Sequence, residues 1–212
     1  MDRNSGNPSG CILALDLDGV LVHPSAGLDG AWNTRLAADL GIDPAALGAR
    51  FFGVHWPAVI VGRRDLKESL GQVLPGLHPA VTVEELIAYW FSRDARLDQE
   101  VAAELSSWKR RTGGQAIAAS NQEKYRVAFL RAQLGLDELF GRIFWSGDLG
   151  MTKSDPGFFH AAAASMNADP DRIWFFDDDP QNIAVASAAG WRAFQFTGAA
   201  GMRKVLEADF PS

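Results

Sequence analysis

One cysteine, Cys11, in 212 residues excludes an internal disulfide framework and fits a reducing compartment, which we take as the cytoplasm. No apolar run approaches the roughly 20 residues that a membrane-spanning helix needs, so no membrane partner is expected. The opening stretch, MDRNSGNPSG, is polar and rich in Gly, Pro and Ser. It lacks the apolar centre of a secretory leader, and residues 1–10 are expected to be a frayed tail. Basic residues are in the minority, 20 against 26 acidic, for a net charge of -6. Such a balance draws in neither nucleic acid nor anionic lipid, so a phosphate-bearing ligand would have to be met by local cations. Internal repeats and a Gly-x-Gly-x-x-Gly segment are absent. Lys153 follows Thr152 where a phosphate-binding P-loop demands glycine. The four histidines, His23, His55, His78 and His160, show no metal-ligand spacing.

What is present is a 47% apolar chain, enough for a full core. Short apolar runs at Ile12–Leu15, Gln115–Ala119, Ile143–Trp145, Ile173–Phe176 and Ala193–Phe196 alternate with helical segments. That alternation predicts an α/β fold, a Rossmann-like parallel sheet with helices on both faces. Asp155-Pro156 and Asp179-Pro180 read as N-caps followed by proline in the first helical turn. Gly135 and Gly190 read as helix stops. Roughly 100 residues separate the first run from the second, far more than one crossover requires. Within that gap Asp43-Pro44, Asp65 to Leu74, and the Thr82/Glu85 capping box before an aromatic stretch mark helices. Residues 22–97 are therefore expected to form an inserted helical cap, with 11–21 and 98–212 as the core.

Ligands of open parallel sheets bind beyond the carboxyl ends of the strands. The first run is followed there by Asp16-Leu17-Asp18-Gly19, in which residues two apart project to one side and glycine permits a sharp turn. Ser120 and Asn121 follow the second run, and Lys153 lies after the third, just before a helix start. The fourth ends in Asp177, Asp178 and Asp179, a crowding of acids that calls for a cation.

These patches, in this order, resemble the four signature motifs of the haloacid dehalogenase superfamily over nearly the whole chain outside the insert. The insert resembles that family's helical cap. The resemblance implies a Mg²⁺-dependent phosphohydrolase acting on a small phosphorylated metabolite. It implies Asp16 as nucleophile and metal ligand, and Asp18 as general acid and base that also binds Mg²⁺ through its carbonyl. Asp178, aided by Asp177, would complete the metal ligands, and Ser120, Asn121 and Lys153 would hold the phosphoryl oxygens. Dehalogenases of the superfamily lack the second acid, so Asp18 argues against dehalogenation. The stretch Ser146 to Lys153, with Phe175-Phe176-Asp177-Asp178 and Asn182, is similar to glucose-1-phosphate phosphatases and to the phosphatase-like domain of epoxide hydrolases. Ser154 departs from them, since they usually carry proline after the lysine.

Plainer readings compete at several positions. Asp179 precedes Pro180 and is expected to cap a helix rather than bind metal. His23, just past the first motif, is a candidate for substrate contact. Trp56, Arg63, Arg64, Tyr89 and Trp90 are candidates for substrate selection, with core packing the expected role of the aromatics. A phosphomutase of the same family and a non-catalytic protein on the same fold are the rival functions, and the oligomeric state stays open.

Overall fold

The computed structural model describes residues 10–25 and 31–211; apart from Gly10, the expected tail lies outside the described residues. The strands are β1 (Ile12–Leu15), β2 (Val22–His23), β3 (Arg96–Leu97), β4 (Gln115–Ser120), β5 (Arg142–Trp145), β6 (Ile173–Asp177) and β7 (Arg192–Gln195). The α-helices of the insert are α1 (Leu36–Leu40), α2 (Pro44–Leu47), α3 (Trp56–Val59), α4 (Leu66–Val73) and α5 (Val83–Arg93). Those that follow are α6 (Gln99–Thr112), α7 (Lys124–Leu134), α8 (Leu136–Leu139), α9 (Ser146–Leu149), α10 (Pro156–Met166), α11 (Pro180–Ala188) and α12 (Ala199–Asp209). Among the described residues no helix is long and apolar enough to cross a membrane.

Five strands pair in parallel in the order β5-β4-β1-β6-β7. β1 and β6 are buried along their whole length, as expected of strands covered on both faces. Alternate side chains divide between two cores. Leu13 and Leu15 join Leu105, Trp108, Phe176 and Met202 beneath α6, α7 and α12. Ile12 and Ala14 join Phe158, Phe159, Phe175 and Trp191 beneath α10 and α11. The chain proceeds from β1 to β4 on one side and returns to β6 on the other, so the strand order reverses beside β1. Crevices form at such a reversal, beyond the carboxyl ends. All five predicted runs are strands, although the last begins and ends one residue earlier than its apolar run.

The long insertion departs after the first motif and returns through an antiparallel ribbon, with Val22 opposite Leu97 and His23 opposite Arg96. Two-residue strands carry no readable period, and the sequence gives no sign of this ribbon. Nor does it announce the π-helical turn over Gly48–Phe52. The insert has a core of its own, in which Leu36, Phe51, Leu70, Leu86, Trp90 and Phe91 gather. Asp43 opens its helix as predicted and Thr82 with Glu85 closes the predicted capping box, while Asp65, expected within a helix, instead caps it and accepts from two first-turn amides.

Several polar ties seat the insert on the sheet. Ser146 Oγ donates to Ile60 O at 2.6 Å, and Tyr125 Oη to Asp65 Oδ2 at 2.9 Å. Lys124 Nζ lies 2.6 Å from the same Asp65 oxygen. Gly62, at φ +71°, lies so close to Gly147 that a Cβ would stand 2.3 Å from its carbonyl oxygen.

Partial burial works against the Asp65 carboxylate, but Lys124, the Glu68 amide and Tyr125 hold its pKa down at about 2, against an ordinary 3.8. A depressed carboxylate contributes stability above its unfolded pKa and loses it as pH falls through the folded value. Asp65→Asn keeps a competent N-cap but removes the charge, so the melting temperature at pH 7 is expected to fall by a few degrees. The gap to the unmodified protein should close as pH falls from 4 toward 2, a trend that thermal melts at stepped pH would read.

Candidate active site

Asp16 directly follows β1, where its N–H still donates to Phe176 O at 2.9 Å, so the sheet itself fixes the residue. The chain then turns, and Leu17 O accepts from the amides of Val20, Leu21 and Val22. Leu17 N–H donates to Asp16 Oδ1 at 2.7 Å. Gly19 sits at φ +83°, and a Cβ there would lie 2.3 Å from Asp178 Oδ2. Glycine is thus required both by the backbone conformation and by the approach of the acidic loop.

Lys153, 1% exposed, comes from the loop after α9 and reaches two carboxylates at once. Its Nζ lies 2.7 Å from Asp16 Oδ2 and 2.6 Å from Asp177 Oδ2. Its main-chain N–H donates to Asn121 Oδ1 at 2.9 Å, which ties the lysine loop to the end of β4. Ser120, buried, stands beside Asp16 at that same strand end and opposes the rise in its pKa. Asp177 is completely enclosed. It accepts from Lys153, from the Asp179 amide at 2.8 Å, and from Asn182 Nδ2 at 3.2 Å to each oxygen. Asp179 itself accepts from Gln181 N–H at 2.8 Å as the N-cap of α11, the expected capping role.

Burial pushes Asp16 up to about 7, and the charge of Asp177 adds to that, while Lys153 and Ser120 oppose it. Asp178 is raised by partial burial and by its neighbour Asp177. Burial alone would depress the Lys153 ammonium, but Asp16 and Asp177 together hold it above its ordinary value. Two carboxylates therefore share one ammonium with a third, Asp178, beside them, and negative charge is left over. Asp16, Asp177 and Asp178 each bring a ligand oxygen within 4.8 Å of the others. An all-oxygen set with surplus negative charge suits a hard divalent cation.

Asp18 differs from Asp16 in setting. Its side chain is 49% exposed, and its carboxylate is held from one side by Gln122 Nε2, which donates at 2.6 Å to Oδ2, while Arg126 Nη2 stands 3.5 Å from Oδ1. Neither Gln122 nor Arg126 is singled out by sequence reasoning. Gln122 could have been found by extending the strand-end search one residue past Asn121; nothing in the sequence marks Arg126, inside α7.

The remaining candidates have other partners. His23 Nε2 is 3.2 Å from Asp98 Oδ2, in the ribbon at the mouth of the insert. Trp56, Tyr89 and Trp90 pack with the insert's core, and Tyr89 Oη donates to Asp39 at 3.0 Å. Arg63 and Arg64 are exposed on the turn after α3, where they line a cleft of about 240 Å³ between insert and sheet with Glu123, Lys124 and Gly147. Arg64 also contacts His55 and Gln72.

The family model for haloacid dehalogenase-like hydrolases matches residues 12–190, and the chain belongs to that family. Among curated proteins it is similar to a phosphoglycolate phosphatase of Cereibacter sphaeroides, 26% identical over 189 residues that cover 87% of this chain and 84% of the relative. Among solved structures it is similar to a HAD family enzyme of Bacteroides thetaiotaomicron in complex with magnesium. The TM-score there is 0.73 at 19% identity, covering 88% of this chain and 92% of that one. The same enzyme bound to magnesium and inorganic phosphate superposes with a TM-score of 0.67 at 17% identity, covering 87% and 93%.

Two substitutions separate the ligand set from its surroundings. Gly19→Ala is expected to displace Asp178 and weaken Mg²⁺ binding by roughly tenfold or more in calorimetry. Asp179→Ala should cost about 1 kcal/mol in urea unfolding as a lost cap, with hydrolytic turnover still measurable. Equal loss of turnover in both would contradict the division between Asp178 and Asp179.

Proposed function

We propose that the protein is a Mg²⁺-dependent phosphatase that hydrolyses a small phosphomonoester through an aspartyl phosphate on Asp16. The observation that carries this reading is the buried Asp16 carboxylate at the sheet's carboxyl edge, 2.7 Å from Lys153 and clustered with Asp177 and Asp178. Asp16, Asp178 and the Asp18 carbonyl would hold the ion, with Asp177 beside them. Bound there, Mg²⁺ supplies charge neutralisation between the attacking carboxylate and the phosphate dianion.

The chain's own residues account for the rest. An Asp16 oxygen attacks phosphorus, the ester P–O bond breaks, and Asp18 gives its proton to the departing alkoxide. In the second step Asp18 takes a proton from water, the water oxygen attacks phosphorus, and the acyl phosphate bond breaks to release inorganic phosphate and restore Asp16. The contrast between the two acids supports this division. Asp16 is enclosed and locked to Lys153 and Leu17 N–H, whereas Asp18 is half exposed and able to meet leaving group and water. Lys153, Ser120 and the main-chain amides of Leu17 and Asn121 stabilise charge gathering on the phosphoryl oxygens. The helical insert acts as a cap that covers the site and limits water.

A small phosphorylated metabolite is the substrate class, as the curated relatives named phosphoglycolate phosphatase suggest. The curated relative named for phosphoglycolate makes a phosphorylated hydroxy acid the first compound to test, with sugar phosphates next. Phosphate release from para-nitrophenyl phosphate should require Mg²⁺, stop with chelator, and fall by at least about 10⁴-fold in Asp16→Asn. Release that survives the substitution refutes the aspartyl phosphate. Isomerised sugar phosphate without free phosphate would identify a mutase instead.

A further inference from the structure

The carboxylate of Asp18 is not left to solvent on its inner side. Gln122 is buried, and its amide donates to Oδ2 at 2.6 Å. Arg126 is buried too, with Nη2 3.5 Å from Oδ1. Both holders are in turn fixed by contacts that lead into the helical cap. The Gln122 amide N–H donates to Ser146 Oγ at 3.0 Å, and that hydroxyl donates to Ile60 O of the cap at 2.6 Å. Arg126 Nη1 donates to Phe91 O at 3.0 Å, and Nη2 donates to Asp94 O. Phe91 and Asp94 close the last cap helix, α5, where the chain turns back toward the sheet.

We propose that Gln122 and Arg126 are positioning residues: a clamp, anchored on cap main chain, that sets the Asp18 carboxylate in its working orientation when the cap is seated. The proposal rests on the acid–base role given to Asp18 above. A guanidinium that gives two of its donors to cap carbonyls is held by them in the orientation that faces Asp18. Gln122 is similarly held through a single hydroxyl shared with Ile60. Closing the cap therefore excludes water and aims the proton-transfer group in one movement. Misplacing such a group by about 1 Å can cost on the order of a hundredfold in rate.

para-Nitrophenyl phosphate, used with saturating Mg²⁺, separates the steps. Nitrophenolate departs without a proton, so phosphorylation of Asp16 survives a misplaced Asp18, whereas hydrolysis of the aspartyl phosphate still needs the base. Gln122→Leu and Arg126→Lys are expected to turn over roughly ten- to hundredfold more slowly. They should also show a rapid burst of nitrophenolate approaching about one equivalent per enzyme, as an accumulated covalent intermediate requires. A merely unfolded fraction would shrink burst and steady rate together. Gln122→Glu adds a pH signature. Protonated, the new carboxyl group can still donate to Asp18; ionised, it repels it, so turnover should fall with rising pH where the unmodified enzyme does not. Asp18→Asn serves as the reference. If it turns over normally, the acid–base reading fails. If it is impaired with a burst while Gln122→Leu or Arg126→Lys turns over normally, or slows without a burst, the clamp is overturned and the reading of Asp18 stands.

Discussion

The ammonium of Lys153 is the contact on which the site's architecture depends. It is enclosed between Asp16 at the end of β1 and Asp177 at the end of β6, two strands that are direct neighbours in the sheet. Parallel pairing brings the two carboxylates side by side whether or not anything neutralises them, and desolvation makes that juxtaposition costly. A buried charge set of this kind contributes little net stability, but removing one member leaves uncompensated charge at a penalty of about 3–5 kcal/mol. The residues around it follow from this constraint. Asn182 and the Asp179 amide occupy the remaining lone pairs of Asp177, and Asn121 pins the lysine loop. The one acid not absorbed into this network, Asp178, stays exposed beside Asp16, where charge is still in excess.

The helical insert is tied to the sheet by polar contacts more than by a shared apolar core. Its own hydrophobic cluster is filled by its own side chains, with Tyr125 and Phe129 of α7 reaching across. The ties between the two parts are main-chain carbonyls of Ile60, Phe91 and Asp94 meeting Ser146 and Arg126, together with the carboxylate of Asp65 meeting Lys124 and Tyr125. Such contacts are directional and can exchange with water. The close approach of Gly62 and Gly147 shows how tightly the two surfaces meet when seated.

The parts of this arrangement that were legible in the sequence are those with a local cause. Asp16, Ser120 and Asp177 lie at the ends of apolar runs, and a parallel sheet gathers such ends at one edge. Asp43, Asp155 and Asp179 cap helices because each is followed by a helical pattern, with proline in the first turn. What could not be read depends on contacts between distant segments. The β2–β3 ribbon is two residues long on each side and has no periodicity. Arg126 looks like an ordinary helical arginine until α7 is packed against the end of α5. Gln122 acquires its meaning only when the turn after β1 swings Asp18 over the end of β4. His23, conspicuous beside the first motif, meets Asp98 at 3.2 Å, a partner 75 residues away that sequence proximity does not suggest.

The two acids of the first motif show how one short segment can hold two carboxylates in opposite settings. They are separated by Leu17, whose side chain is buried and whose amide binds Asp16, so the peptide between them is fixed and the acids cannot exchange places. Asp16 is desolvated and raised toward about 7 by its burial, so it requires positive charge before it can act as an anion. Asp18 has half of its side chain in solvent and is met by an amide and a guanidinium, so proton exchange with water is open to it. The ribbon that leads into the helical insert begins four residues after Asp18, at Val22, so the insert is joined to the sheet right beside the acid that stands half in solvent.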